Sequence, residues 1–115
     1  MLFSQNRRFI QLIRNASTKV RKSKEVVKAE SEKQGIVALE SAVITHGLPY
    51  PQNVELAKRL EEIVREHDCI PATIALLNGN VCVGLEPGEL EELASCQQAI
   101  KVSKRDIGFA LAKVC

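Results

Sequence analysis

Aromatic residues and long apolar runs are scarce in this sequence. Its 115 residues include no tryptophan, one tyrosine and three phenylalanines, too few to stack a run of nucleic-acid bases. No apolar run approaches the roughly 18 residues that a membrane-spanning helix needs. Gly-rich phosphate loops of the two standard types are also absent. We therefore expect neither a membrane span nor a nucleotide-binding loop.

Metal-ligand spacing is likewise lacking. The four cysteines form no C-x-x-C pair, and the two histidines stand at no zinc-finger spacing from them. This pattern favours reduced thiols in a reducing compartment over a disulfide framework. The cysteines are Cys69, Cys82, Cys96 and Cys115.

Acidic residues are missing from the first 24 positions, which hold seven Lys and Arg residues, whereas the rest carries nine basic and 14 acidic ones. Phe9, Ile10, Leu12 and Ile13 fall on one side of a helical wheel, an amphipathic composition typical of mitochondrial transit peptides. A basic nucleic-acid arm is the alternative, but the acidic remainder disfavours a nucleic-acid partner. We predict a mitochondrial transit peptide in residues 1–24 and a linker or short leading helix in 25–34.

Strand and helix patterns alternate through residues 35–115. Apolar runs at Gly35–Leu39 and Ala42–Ile44 predict one strand buried on both faces, as in a parallel sheet covered by helices. Gln52–His67 carries one apolar stripe and predicts a helix. Ala72–Leu77 and Val81–Leu85 flank an Asn-Gly pair, which predicts an antiparallel hairpin.

The last third predicts shorter elements. Pro87 near a first turn indicates a short helix, and Ile100–Val102 indicates a very short strand. Ser103 and Asp106 stand at the spacing of a capping box ahead of an apolar helix at 107–114. The order predicts an α/β fold, the start of a layered α/β/α sheet that stops before the fold is complete.

Glu40 is the first candidate for chemistry. It stands near the carboxyl end of the first predicted strand, where open α/β sheets place their ligand crevices. A carboxyl group there would be partly desolvated, which favours the protonated form that a general acid needs. A structural glutamate that caps a helix or pairs with a lysine is the simpler alternative.

Other polar residues give weaker signals. His46 lies in a turn, where a histidine usually makes local hydrogen bonds. Lys101, Lys104 and Arg105 cluster near a predicted helix start and would suit a phosphate or form a solvated basic patch. Neither Ser41 nor Ser103 has a base and acid placed for a nucleophilic triad.

Five ordered blocks resemble the pseudouridine-5'-phosphate glycosidase family. In order along residues 35–113, they are Val37–Ser41, Thr45–Asn53, Pro71–Ala75, Val83–Leu85 and Lys101–Asp106. The resemblance implies reversible cleavage of the carbon–carbon glycosidic bond of pseudouridine 5'-phosphate, giving uracil and ribose 5-phosphate. It also implies a divalent metal, typically Mn²⁺, and a homotrimeric α/β/α protein.

The resemblance assigns roles to two residues. Glu40 would be the proton donor and Lys101 a substrate contact, while a lysine nucleophile and the metal-binding aspartate of the family would lie beyond Cys115. Family members are about three times as long as this segment, so we expect an amino-terminal fragment that is inactive alone. The alternative is a non-catalytic mitochondrial segment that associates with intact subunits through an incomplete sheet.

Overall fold

The computed structural model describes residues 20–112, in which one four-stranded sheet is flanked by helices. The strands are β1 (Val20–Lys22), β2 (Ile36–Glu40), β3 (Ile70–Leu77) and β4 (Asn80–Val83). The helices are α1 (Lys24–Ser31), α2 (Ala42–His46), α3 (Gln52–Glu66), α4 (Pro87–Ser95) and α5 (Ile107–Ala112). The predicted α/β class is confirmed. Among the described helices, none has the length and apolar character to cross a bilayer.

The sheet has the order β1-β4-β3-β2 and mixes strand directions. β2 and β3 are parallel, as are β1 and β4, whereas β3 and β4 form an antiparallel hairpin. Asn78 and Gly79 both adopt positive φ, at 50° and 74°, because a tight two-residue hairpin turn needs left-handed backbone at both positions. The predicted hairpin is therefore confirmed.

The amino-terminal boundary of the fold lies earlier than residue 35. β1 and the cap of α1 fall within the stretch that the sequence analysis assigned to a transit peptide, while residues 1–19 of that prediction lie outside the described residues. Ser23 is buried, and its hydroxyl accepts a hydrogen bond from the Val26 amide at 3.2 Å. The segment predicted as a linker or leading helix forms α1, because this cap satisfies a free donor of the first turn.

Two strand predictions are wrong. Ala42–Ile44 forms α2 instead of extending β2, and Ile100–Val102 has no regular structure. Short apolar runs fit a strand or a buried helix equally well, so their periodicity could not separate the two. β2 ends at Glu40, since Ser41 has helical backbone angles, and the Ser41 hydroxyl donates a hydrogen bond to the Ile74 carbonyl at 2.6 Å.

Strand β3 begins two residues earlier than predicted and includes Pro71. Ile70 donates to the Gly35 carbonyl on the β2 side at 2.8 Å. Because backbone groups alternate along a strand, Pro71 presents its nitrogen to the other side, beyond the end of β4. The missing N–H therefore breaks no ladder hydrogen bond.

The core lies on one face of the sheet. Helices α2, α3 and α4 pack there against alternate residues of β3 and β4, and the cluster contains Ile44, Val54, Ala57, Ala75, Leu77, Cys82, Leu85, Leu90, Leu93 and Ala94. The opposite face carries exposed apolar residues, among them Ile36 and Ile74 at 38% and 36% exposure. The prediction that β2 is buried on both faces is therefore wrong for the described residues, where β2 forms the edge of the sheet.

Candidate functional site

Glu40 occupies the last ladder position of β2, opposite Ile74 of β3. The next residue, Ser41, is tied to the Ile74 carbonyl, and α2 begins directly afterwards. This arrangement fixes the backbone of Glu40 at the carboxyl end of a parallel pair, as the sequence predicted. Its side chain is exposed, so the described residues do not supply the predicted desolvation.

A groove of about 880 Å³ opens at this end of the sheet. Glu40 and Ser41 lie on it with Ala42 and Thr45 of α2, and Lys101 lies on it from the irregular segment after α4. The two residues singled out by the family resemblance therefore share one cavity. The remaining lining comes from Ile74, Ala75, Leu76, Leu77, Val81, Glu92, Leu93, Cys96, Gln98, Ala99, Ile100, Val102, Ser103, Lys104, Ile107 and Ala110.

The groove combines an apolar floor with charges of both signs. Ile74, Leu76 and Val81 supply the floor, Glu40 supplies a carboxylate, and Lys101 and Lys104 supply ammonium groups. Such a site suits a small molecule with an anionic group and a flat or apolar portion. Lysine ammonium groups make charge-assisted hydrogen bonds with phosphate oxygens, although as point charges and not as bidentate clamps.

The segment that carries Lys101 is shaped by a short hydrogen-bonded loop. The Asp106 carboxylate accepts hydrogen bonds from the Ser103 hydroxyl at 2.6 Å and the Ser103 amide at 3.1 Å. These bonds lower the pKa of Asp106 below its ordinary value of 3.8, the hydroxyl bond having the larger effect. The side-chain-to-amide half of the predicted capping box is present, whereas the Ser103 hydroxyl donates to Asp106 instead of accepting a backbone N–H.

Three other sequence candidates have local structural roles. His46 is the last residue of α2, and its Nδ1 lies 2.6 Å from the Thr45 hydroxyl. This is the local hydrogen bonding that the sequence predicted for a histidine in a turn. Ser41 lines the groove, but its hydroxyl is donated to Ile74. Arg105 is exposed and lies outside the groove lining, unlike its neighbour Lys104.

Asn53 of α3 ends the Thr45–Asn53 block, but it was given no role of its own in the sequence analysis. Its side chain is 3% exposed, and it contacts the backbone of both α2 and α4. No local sequence pattern signalled this role, because the hydrogen-bonding partners that a buried polar group needs come from α2 and α4.

The residues described do not fit a metal ion. Within residues 20–112, no three His, Cys, Asp or Glu side chains come together in a way that could hold one. The two acidic residues that line the groove come from different elements, Glu40 from the end of β2 and Glu92 from α4.

Comparison with known proteins places the chain in a family. The sequence model described as "Indigoidine synthase A like protein" matches residues 25–115. A pseudouridine-5'-phosphate glycosidase of Mycoplasmopsis agalactiae is 54% identical over 90 residues, which is 78% of this chain and 30% of that protein. Pseudouridine-5'-phosphate glycosidase 1 of Rhizobium johnstonii is 50% identical over 91 residues, 79% of this chain and 29% of that protein.

Solved structures agree with the sequence comparison. An indigoidine synthase A-like protein from Thermotoga maritima superposes with a TM-score of 0.69 at 30% identity, over 83% of this chain and 30% of that one. The prealnumycin C-glycosynthase AlnA, solved in complex with ribulose 5-phosphate, gives a TM-score of 0.70 at 38% identity, over 84% of this chain and 30% of that one.

The matches cover this chain more fully than they cover its relatives. The chain spans about 30% of the length of the curated relatives described above. The resemblance noted in the sequence is confirmed, because the family model matches residues 25–115 and pseudouridine-5'-phosphate glycosidases are 50–54% identical to the chain over that region. The chain belongs to the indigoidine synthase A-like protein family, together with the pseudouridine-5'-phosphate glycosidases.

Proposed function

We propose that this chain provides the amino-terminal portion of a pseudouridine-5'-phosphate glycosidase. The reaction would be the reversible cleavage of the carbon–carbon glycosidic bond of pseudouridine 5'-phosphate to uracil and ribose 5-phosphate. The observation that carries the proposal is the placement of Glu40 and Lys101 on one groove. Relatives that share about half of their matched residues with this chain bear the name of that enzyme.

In this proposal Glu40 donates a proton to the sugar as its ring opens, and Lys101 contacts the substrate. The position of Glu40 at the end of β2 suits a proton donor, since Ser41 anchors the adjoining backbone to β3. The exposed carboxylate would need further protein around it to become an effective acid, because a proton donor works best when its environment favours the protonated form. We therefore propose that a polypeptide of these 115 residues is inactive alone.

The metal and the assembly state are further parts of the proposal. A divalent metal, Mn²⁺ by family resemblance, would be held by residues outside 20–112, since residues 20–112 form no cluster that could hold one. When bound, such a metal supplies Lewis-acid stabilisation of developing negative charge. The family resemblance also suggests a homotrimer, which analytical ultracentrifugation of an intact family member would test.

A mitochondrial location is proposed from the first residues alone. The amphipathic and acid-free composition is the support, and β1 limits a removable segment to the residues before Val20. Expressing the full chain with a carboxyl-terminal tag and fractionating the cells would test it. Recovery of the tagged chain in the cytosol alone would contradict a mitochondrial address.

A hybrid glycosidase provides the test of function. In this hybrid, residues 25–115 replace the matched segment of the Mycoplasmopsis agalactiae relative, and release of uracil from pseudouridine 5'-phosphate is measured. We expect activity that Glu40→Gln lowers by roughly 10²- to 10⁴-fold, the range lost with a general acid. Glu55→Gln, on the exposed side of α3, is the matched control and should retain activity. An active Glu40→Gln hybrid would refute the assignment.

An assembly role is the second candidate, because β2 is an exposed strand edge in the described part of the chain. Val37 of β2 is 39% exposed, and unpaired apolar edges promote association with other chains. Mixing the chain with the intact Mycoplasmopsis agalactiae glycosidase should then give co-elution on size exclusion. Val37→Lys should abolish co-elution, since a lysine blocks edge pairing. Separate elution of the unmodified chain would exclude this role for that partner.

A further inference from the structure

We propose that Asn53 is a positioning residue for the groove, because it joins the helix that follows Glu40 to the helix that precedes Lys101. The inference rests on the proposed function for its catalytic consequence, while the structural connection stands independently. Asn53 contacts neither Glu40 nor Lys101 in any described hydrogen bond, so it would act through the backbone of α2 and α4.

The side-chain amide of Asn53 makes three hydrogen bonds of 2.8 Å. Its Nδ2 donates to the carbonyls of Ile44 and Ala94, and its Oδ1 accepts from the amide of Val54. The orientation of the amide is fixed by chemistry, because two carbonyl partners require the NH₂ group and a backbone N–H requires the oxygen. With 3% of the residue exposed, water has little access to replace any of these partners.

Both carbonyls belong to the last turns of helices. Ile44 lies two residues before the end of α2, and Ala94 is the penultimate residue of α4. Carbonyls in a final helical turn have no partner within their own helix. A single buried amide thus satisfies one such carbonyl from each helix and links the ends of α2 and α4 to the start of α3.

Residues of both helices line the groove. Ala42 and Thr45 of α2 line it and follow Glu40 in sequence, whereas Glu92 and Leu93 of α4 line it and precede the segment that carries Lys101. Glu40 is already held by the ladder to β3. The tie through Asn53 therefore fixes where the Lys101 side of the groove stands relative to Glu40.

Simple core packing would not need this residue type. Val54 and Ala57 bury apolar side chains on the same helix, and an aliphatic residue at position 53 would also exclude water. It would leave the two helix-end carbonyls without a donor, and a displacement of about 1 Å in catalytic geometry can cost on the order of 10²-fold in rate. A positioning role therefore predicts a local change in geometry when Asn53 is replaced, whereas a packing role does not.

The first arm of the test uses the 115-residue chain and no activity assay. Amide hydrogen exchange should show faster exchange in α2, at the end of α4 and in residues 96–103 for Asn53→Ala, with the β3–β4 hairpin unchanged. Asn53→Asp gives a second variant of nearly the same shape, which replaces the two donors with an oxygen. Val54→Ala is the matched control, because it removes a 4% exposed core side chain but no hydrogen bond.

The second arm measures kcat and KM in the hybrid glycosidase. Both Asn53 variants should lower kcat/KM by roughly tenfold to a hundredfold, whereas Val54→Ala should leave it within about twofold at a temperature where all variants are folded.

Hydrogen exchange that increases uniformly, or equally in Val54→Ala, would overturn the structural tie. Local loosening with unchanged kcat/KM would overturn the catalytic consequence. An inactive unmodified hybrid would count against the proposed function, and the exchange arm would still decide the tie.

Discussion

Glu40 and Lys101, one at the end of β2 and the other in the irregular segment after α4, line the same groove. The parallel pairing of β2 with β3 and the packing of α4 against α2 place both residues on this groove. A carboxylate and an ammonium group on one cavity can act on different parts of one substrate.

Replacing Lys101 with methionine should weaken substrate binding in the hybrid glycosidase. The change keeps an unbranched chain of similar length but removes the charge, and hydrogen bonds to charged groups contribute about 1.5–3 kcal/mol. We expect KM for pseudouridine 5'-phosphate to rise by at least roughly tenfold, with a smaller change in kcat. Arg105→Met is the control, since Arg105 is exposed and outside the groove lining. Equal effects of the two changes would indicate a general loss of positive charge.

The 115-residue chain on its own should release no uracil from pseudouridine 5'-phosphate, with or without Mn²⁺. The reasons are the exposed position of Glu40 and the absence, within residues 20–112, of a cluster that could hold a metal. The measurement is uracil detection after prolonged incubation with the purified chain. Release that disappears in Glu40→Gln would show that this prediction is wrong.

Local sequence signals predicted the elements that depend on near neighbours. The hairpin followed from Asn78 and Gly79, because their tolerance of positive φ is a property of the residues themselves. α3 followed from its apolar stripe. α4 followed from proline near its first turn, and its capping box uses Glu86 and Glu89.

Elements that depend on distant partners were not predictable in the same way. Ala42–Ile44 is apolar enough for a strand, but Ser41 bonds across to β3 and the chain continues as α2. Ile100–Val102 has strand-like composition, yet no neighbouring strand pairs with it in the described residues. The roles assigned to Glu40 and Lys101 came from the family resemblance and not from any local pattern, and no local pattern predicted that the two residues line one groove. The role of Asn53 was not predicted because its hydrogen-bonding partners come from α2 and α4.

Gly84 should not tolerate a side chain. Its φ of +83° disfavours any residue with a Cβ, and an added Cβ would meet the Ser23 side chain and approach Val26 Cγ2 to 2.9 Å. The backbone alone costs about 1–2 kcal/mol, so Gly84→Ala should lower the free energy of unfolding by at least that amount. Urea denaturation followed by circular dichroism would measure the change.

Gly88 provides the matched control for Gly84. It lies in the first turn of α4, and an added Cβ there meets nothing within 4 Å. Gly88→Ala should therefore leave the free energy of unfolding unchanged or raise it by up to about 0.5–1 kcal/mol, because alanine loses less backbone entropy in a helix. Similar destabilisation by both changes would contradict the specific packing of Gly84 against the α1 cap.

Acid should release the loop that follows Lys101. The folded state lowers the pKa of Asp106 through its bonds to Ser103, so the link stabilises the loop above the ordinary value of 3.8 and is lost as the pH falls through the folded pKa. An NMR titration should show the Ser103 amide shifting together with the Asp106 carboxyl, at a midpoint below 3.8. Ser103→Ala removes the hydroxyl bond, which is the larger cause, and should raise that midpoint towards the ordinary value. A midpoint that Ser103→Ala leaves unchanged would show that the hydroxyl does not hold the carboxylate in solution.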